Sequence, residues 1–288
     1  MQQRPFRQID VFSHHPGFGN PVAVVLDAQG LSDADMRRFA AWTNLSETTF
    51  LMPPTAAGHA AGADYRLRIF SPRGELPFAG HPTLGTCRAW LQQGHTPRVP
   101  DLVVQESAQG LVQIEHQGDT LAFAAPPLQC SKPSPALVPL VASALGLRPH
   151  QIQAAQLLDN GPVWLGLLLD SAETVLGLTP DHARLKDLGQ DVGVIHIAPD
   201  AGADPERPGA VVRAFAAPMG NPEDPVTGSL NASLAQWLIG EGLAPTRYLV
   251  AQGECLGRAG RVYIHQDAQG QVWVGGHTVT CIEGTALL

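Results

Sequence analysis

RLRIFSPRGELPFAGHPTLG, residues 66–85, and VVRAFAAPMGNPEDPVTGS, residues 211–229, are two versions of one pattern. Arg68 matches Arg213, Phe70 matches Phe215, Gly74 matches Gly220 and Thr83 matches Thr227, at offsets of 144–146 residues in a chain of 288. The match extends outward. FLMPP from Phe50 corresponds to IHIAP from Ile195, NPVAVVLD from Asn20 to GPVWLGLLLD from Gly161, and Trp90-Leu91 to Trp237-Leu238. Several matches at nearly one offset imply a duplicated chain with two domains, which suits a length that exceeds the roughly 100–200 residues of one domain.

Each half reads as strand, strand, helix, strand, strand, loop, helix and a further run of strands. Ser32 with Asp35 forms a capping-box pattern before Met36, Phe39, Ala40 and Thr43 at helical spacing. Ser134-Pro135 and Thr179-Pro180 mark two further helix starts. Tyr65, Leu67 and Ile69 alternate with Arg66 and Arg68 as a half-buried strand does. Short strands are expected over 102–107, 111–116 and 121–124, and again over 261–265, 271–274 and 278–282. The helices over 83–91 and 228–239 carry one charge, Arg88, between them. A helix that is apolar or small all round is covered on every side. The expected fold is therefore α+β: two pseudo-symmetric domains, each a barrel-like sheet around a central helix. The domains are expected at residues 1–126 and 127–277, with 278–288 a candidate to return to the first.

Composition narrows the function. Hydrophobic residues make up 44% and charged residues 15%, enough for a core and little for a disordered tail. Gly 30 and Pro 25 imply many turns. The net charge is −8 and no Lys/Arg cluster exists, which excludes a phosphate-backbone partner. Cys87, Cys130, Cys255 and Cys281 form no CxxC, so neither a zinc knuckle nor a disulfide framework is expected. The apolar stretch at 163–169 is far short of the ~20 residues that span a bilayer. MQQRPFRQ has no apolar core of a signal peptide. The expectation is a reduced, soluble, cytoplasmic protein without metal or cofactor, membrane or nucleic-acid partner.

Four stretches carry candidate chemistry. GFGNPV, from Gly17, lacks the third glycine and the helix of a dinucleotide loop. His14-His15 has no acidic or Cys partner spaced to complete a metal site, and reads as structural or solvated. In NLSETTF, residues 44–50, Glu47 is either a general base with a pKa raised by burial or a surface carboxylate on a connecting loop. GELPFAGHPTLG places Gly80 and His81 just before a buried helix, as an anion site or as an ordinary cap. NPEDPVTGSLNASL repeats this with Asp224 before the turn and Thr227, Gly228 and Ser229 at the helix start, where Asp and Ser also serve as N-caps. The duplication favours the functional alternatives, because two like helix starts with a nearby carboxylate suit a small acidic substrate in a cleft between domains.

QIDVFSHHPGFGNPVAVVLDAQGLS, NLSETTF, GELPFAGHPTLG and GNPEDPVTGSLNAS, in this order and spacing, resemble the PhzF-like phenazine biosynthesis family, within the diaminopimelate epimerase superfold. The resemblance covers nearly the whole chain. It implies a cofactor-independent isomerase that moves a proton within a small carboxylate-bearing substrate, trans-2,3-dihydro-3-hydroxyanthranilate or a related molecule, and a homodimer. It further implies that Glu47 is the catalytic acid/base, that His81 lies beside the substrate with Gly80 in backbone contact, and that Asp224 and Ser229 are the remaining polar site residues. Ser229 and the amides at the helix start, Thr227 and Gly228 among them, would hold the substrate carboxylate. The epimerase branch of the superfold uses two cysteines, and neither motif loop here contains one. Two other readings compete: a non-catalytic binding protein that retains the cleft, and a Ser229–His81–Asp224 hydrolase, weakened by the closeness of Asp224 to Ser229 and the lack of a nucleophile elbow.

Overall fold

The strand Val163–Leu169 reads VWLGLLL and is buried from Trp164 onward, so both of its faces must be covered. One face meets a helix, Gly228–Gly240: a methyl group on Gly166 would press on Leu234 and Trp237 of that helix. The other face carries Leu165, Leu167 and Leu169. These pack with Val141, Leu145, Val175 and Leu185 from three outer helices, Leu137–Leu145, Ala172–Leu176 and His182–Leu188. A sheet with a helix on each side is thus the repeating principle.

The computed structural model describes residues 2–288. The chain forms two compact units, Met1–Ala124 with Gly275–Leu288, and Ala125–Val274. In the first, the strand Gln3–Val11 runs antiparallel to Asn20–Val25, which is parallel to Thr48–Met52. That strand is antiparallel to Tyr65–Ser71, which is parallel to Leu102–Ser107. Gly110–Gln117 and Thr120–Ala124 follow antiparallel. The long strand Val272–Leu287 pairs with Thr120–Ala124 and again with Gln3–Val11, which closes a barrel of eight strands. The helix Gly80–Gln92 packs against this wall, with 10 of its 13 residues buried. Close packing explains Gly85, where a methyl group would overlap the Val22 side chain. An outer helix, Asp33–Thr43, lays Met36 and Ala40 against Val25, Phe50 and Phe70. Its Ser32–Asp35 capping box forms as read.

The second unit repeats the order. Gln129–Ser131, Ile152–Asp159 and Val163–Leu169 are successively antiparallel, Asp191–Ile197 joins parallel and Ala210–Ala216 antiparallel. Asn221–Asp224 folds back on Ala210–Ala216, and Arg247–Gln252 adds parallel to it, followed by Gly260–Gln266 antiparallel. The central helix Gly228–Gly240 has nine buried residues, including Leu230, Asn231, Leu234 and Leu238. The architecture is the duplicated α+β fold that the repeat implies.

Local details differ from the reading. The helix expected at Ser134-Pro135 starts at Leu137 without a side-chain cap. The one expected at Thr179-Pro180 starts at His182, where Asp181 accepts from the Arg184 N–H at 3.0 Å. The first central helix begins at Gly80 rather than Thr83, so His81 lies inside its first turn. Pro82 fits there because first-turn N–H groups have no partner within the helix. The two helix starts therefore align Gly80 with Gly228, His81 with Ser229 and Thr83 with Asn231, displacing the Thr83–Thr227 match. The two short strands expected at the end are one strand, Val272–Leu287. Gly275 is not a turn; a side chain there would collide with the Leu121 carbonyl and Ala122 of the neighbouring strand.

Candidate active site

The hairpins that lead into the two central helices are pinned by the same device. Arg68 donates to Glu75 through Nε (2.7 Å) and Nη2 (2.6 Å), and Arg213 to Glu223 through the same atoms at 2.8 Å each. Each guanidinium also lies over a ring, Phe70 at 5.1 Å and Phe215 at 5.0 Å. Such two-pronged bonds fix orientation as well as charge. Arg213 adds bonds to the carbonyls of Val175 and Leu178, and Arg68 adds one to Asp33. The strand ends that carry both candidate loops are therefore held rigidly.

In the first unit Glu47 follows the end of Asp33–Thr43, where Asn44 takes a left-handed conformation (φ 56°) and turns the chain into Thr48–Met52. The Glu47 Oε2 lies 3.2 Å from His81 Nε2, with side chains 16% and 6% exposed. Burial pushes the His81 pKa down to about 3, offset in part by a hydrogen bond from the ring to the Pro21 carbonyl. A neutral ring that donates to Pro21 turns a lone pair on Nε2 toward Glu47. The carboxylate and the imidazole thus face each other at hydrogen-bonding distance, the geometry that proton transfer between two such groups requires. Gly80 is buried beside His81 and starts the helix, whose N-cap residue, Ala79, provides no side-chain cap. The backbone N–H groups of that first turn point out of the helix end.

In the second unit Asp224 ends its strand and is gripped from two sides. Thr227 Oγ1 donates to Asp224 Oδ2 at 2.6 Å and Asn221 Nδ2 to Oδ1 at 3.1 Å. Thr227 is the N-cap residue, yet its hydroxyl is spent on Asp224 and not on the helix. Gly228 and half-buried Ser229 open the helix, and Asn160 Nδ2 holds the Ser229 carbonyl at 2.9 Å. A buried glutamine organises this turn: Gln252 accepts from the Thr227 N–H (3.1 Å) and Asn231 (2.8 Å) and donates to Thr227 Oγ1 (3.0 Å) and the Asp224 carbonyl (3.2 Å). Gln105 does similar work in the first unit, donating to Thr83 Oγ1 at 3.1 Å and accepting from Tyr65 at 3.0 Å.

Gln105, Gln252, Asn231, Glu75 and Glu223 were not singled out from the sequence. Only the equal strand phase of the two halves could have marked them. The GFGN loop is pinned by buried Asp10, which accepts from the Gly19 N–H at 2.9 Å. His14 is exposed and its ring stacks on His277, centroids 3.3 Å apart. Among the described residues no group of three or more His, Cys, Asp or Glu is placed to hold a metal ion, and no helix is long and apolar enough to cross a membrane.

The fold is that of the epimerase-like α+β isomerases. Within that class, the chain belongs to the phenazine biosynthesis-like PhzC-PhzF family, whose profile matches residues 9–284. It is 33% identical over 297 residues to trans-2,3-dihydro-3-hydroxyanthranilate isomerase of Pseudomonas aeruginosa, covering 97% of this chain and 98% of that one. It is 35% identical, in an alignment of 305 positions that covers 100% of each chain, to "Antisense-enhancing sequence 1" of Schizosaccharomyces pombe. The crystal structure of a PhzF-family phenazine biosynthesis protein from Bacillus anthracis superposes over 100% of both chains with a TM-score of 0.83 at 22% identity. The protein is an isomerase of this family.

Proposed function

We propose that this isomerase moves a proton within a small carboxylate-bearing substrate, trans-2,3-dihydro-3-hydroxyanthranilate or a close relative, with Glu47 as the acid/base. The observation that carries the reading is the 3.2 Å contact between Glu47 and His81 at the head of a buried helix without a side-chain cap. Glu47 takes a proton from carbon and returns it elsewhere on the same molecule, while neutral His81 orients the substrate's amino or hydroxyl groups and relays protons. In the second unit Asp224 orients a substrate amino or hydroxyl group. The Ser229 hydroxyl and the amides of Gly228 and Ser229 hold the carboxylate, as N–H groups at a helix start hold anions, whereas the Thr227 N–H expected among them is taken by Gln252. Gly80 and Thr227 serve through backbone placement. No cofactor is called for, because a base, a returned proton and oxyanion donors suffice for such a shift. A homodimer, which the family resemblance implies, and a cytoplasmic setting belong to the same proposal, and size-exclusion chromatography and cell fractionation test them.

The experiment is NMR of trans-2,3-dihydro-3-hydroxyanthranilate in D₂O with the wild type beside Glu47→Gln. Wild type is expected to convert it with deuterium incorporation, and Glu47→Gln to lose about 10²–10⁴-fold in rate. Undiminished turnover by the variant removes Glu47 from the role. Deuterium exchange without net conversion indicates the same chemistry on a different substrate.

A further inference from the structure

We propose that Asp191 is a second acid of the substrate site, the second unit's counterpart of Glu47, donating a hydrogen bond to a substrate oxygen at the head of the helix Gly228–Gly240. This rests on the function proposed above.

Asp191 stands 144 residues after Glu47, an offset shared by the repeat. Strand phase makes the equivalence structural. Thr49 accepts a hydrogen bond from Thr86 of the central helix, so Thr49 and Glu47 look inward, while Thr48 meets Thr43 of the outer helix. In the second unit a methyl group on Gly193 would overlap Leu230 of the central helix, so Gly193 and Asp191 look inward. Val192 and Val194 point to the outer helices. Thr48 pairs with Ala23 and Val192 with Leu165 in matching parallel ladders, so each carboxylate sits one residue ahead of an equivalent rung. The helix partners correspond too, since His81 and Ser229 are each the second residue of their helix.

The surroundings are buried and polar. The Asp191 Oδ1 is buried and has no hydrogen-bond partner among the described residues. Its ladder neighbour, Trp164, is 4% exposed and leaves its Nε1–H without an acceptor. Asn160, 3% exposed and bonded to the Ser229 carbonyl, has an unpartnered Oδ1. All three stand at the end of the parallel strand pair where Ser229 is held. Buried polar atoms carry a substantial cost unless something completes them, and a small ligand rich in oxygen and nitrogen does so. Burial raises the Asp191 pKa to about 6, with no charged neighbour contributing. Its carboxyl therefore carries a donatable proton below that pH and loses it above.

The test is steady-state isomerisation of trans-2,3-dihydro-3-hydroxyanthranilate from pH 5 to 8 by wild type, Asp191→Asn and Asp191→Ala, each checked for wild-type circular dichroism. For the wild type, KM is expected to rise about tenfold with a midpoint near pH 6, as one charged-group hydrogen bond is lost. Asp191→Asn keeps an N–H donor at every pH, so its KM should stay low and flat. Asp191→Ala should show a KM about tenfold higher throughout, with kcat changed less than about threefold. A wild-type KM and pH profile in both variants overturns the proposal, as does Asn behaving like Ala; in either case the proposed function stands. A wild type that neither binds nor converts this substrate overturns the proposed function and this inference with it.

Discussion

Substitution of Glu223 by Gln is the sharpest probe of how the duplicated hairpins are held. The Arg213 and Glu223 side chains are 6% and 8% exposed and joined by two 2.8 Å bonds. Removing one charge leaves a buried guanidinium uncompensated, which costs about 3–5 kcal/mol. The equivalent pair in the first unit is more open, with Arg68 and Glu75 at 15% and 33%, and Arg68 keeps Asp33 at 2.7 Å as a second carboxylate. Glu75→Gln should therefore cost about 1 kcal/mol or less. For a unit of this size 1 kcal/mol corresponds to about 2–4 °C in Tm, so Glu223→Gln should lower the midpoint by roughly 6–20 °C. Calorimetry on both single variants and on the Arg213→Met/Glu223→Met double variant is the assay. The double variant should recover much of the loss, because a buried pair replaced by apolar groups is often neutral. Equal, small shifts for Glu223→Gln and Glu75→Gln would refute the argument that burial sets the value of this clamp.

Two further outcomes are expected. Gly85→Ala places a methyl group into Val22, so it should destabilise by about 1–3 kcal/mol despite the better helix propensity of alanine, measured by urea unfolding. The depressed His81 pKa has a signed consequence: between its ordinary 6.5 and about 3 the unfolded chain binds a proton that the folded chain does not. The stability linked to His81 is thus complete above pH 6.5 and is lost as pH falls toward 3. His81→Gln should flatten this acid-side loss; an unchanged acid limb would contradict the buried neutral ring.

Much of the architecture is legible in the sequence because Arg68 and Arg213, and Phe70 and Phe215, keep one spacing and do one job. Their partners Glu75 and Glu223 are not, since which carboxylate meets which arginine depends on the fold-back of each hairpin. The Glu47–His81 pair spans 34 residues of sequence and is suggested only by family resemblance until the barrel places both on one helix end. Asp191 carries no motif that marks it; its inward direction is decided by the phase of the strand it opens. Helix starts are less legible: the first central helix takes Pro82 into its first turn, a position that needs no helical N–H bond, while the helices expected at Pro135 and Pro180 start two residues beyond them.

The strand Val272–Leu287 makes the first barrel a discontinuous object in time as well as in sequence. Residues up to Ala124 supply seven of its eight staves, but the last one is made only after the whole second unit, Ala125–Val274, has been synthesised. Until then Gln3–Val11 and Thr120–Ala124 present open backbone edges to the cell, a state prone to mispairing. Loss of residues 277–288 would then injure the barrel that holds Glu47, although every other strand of that barrel precedes Ala125.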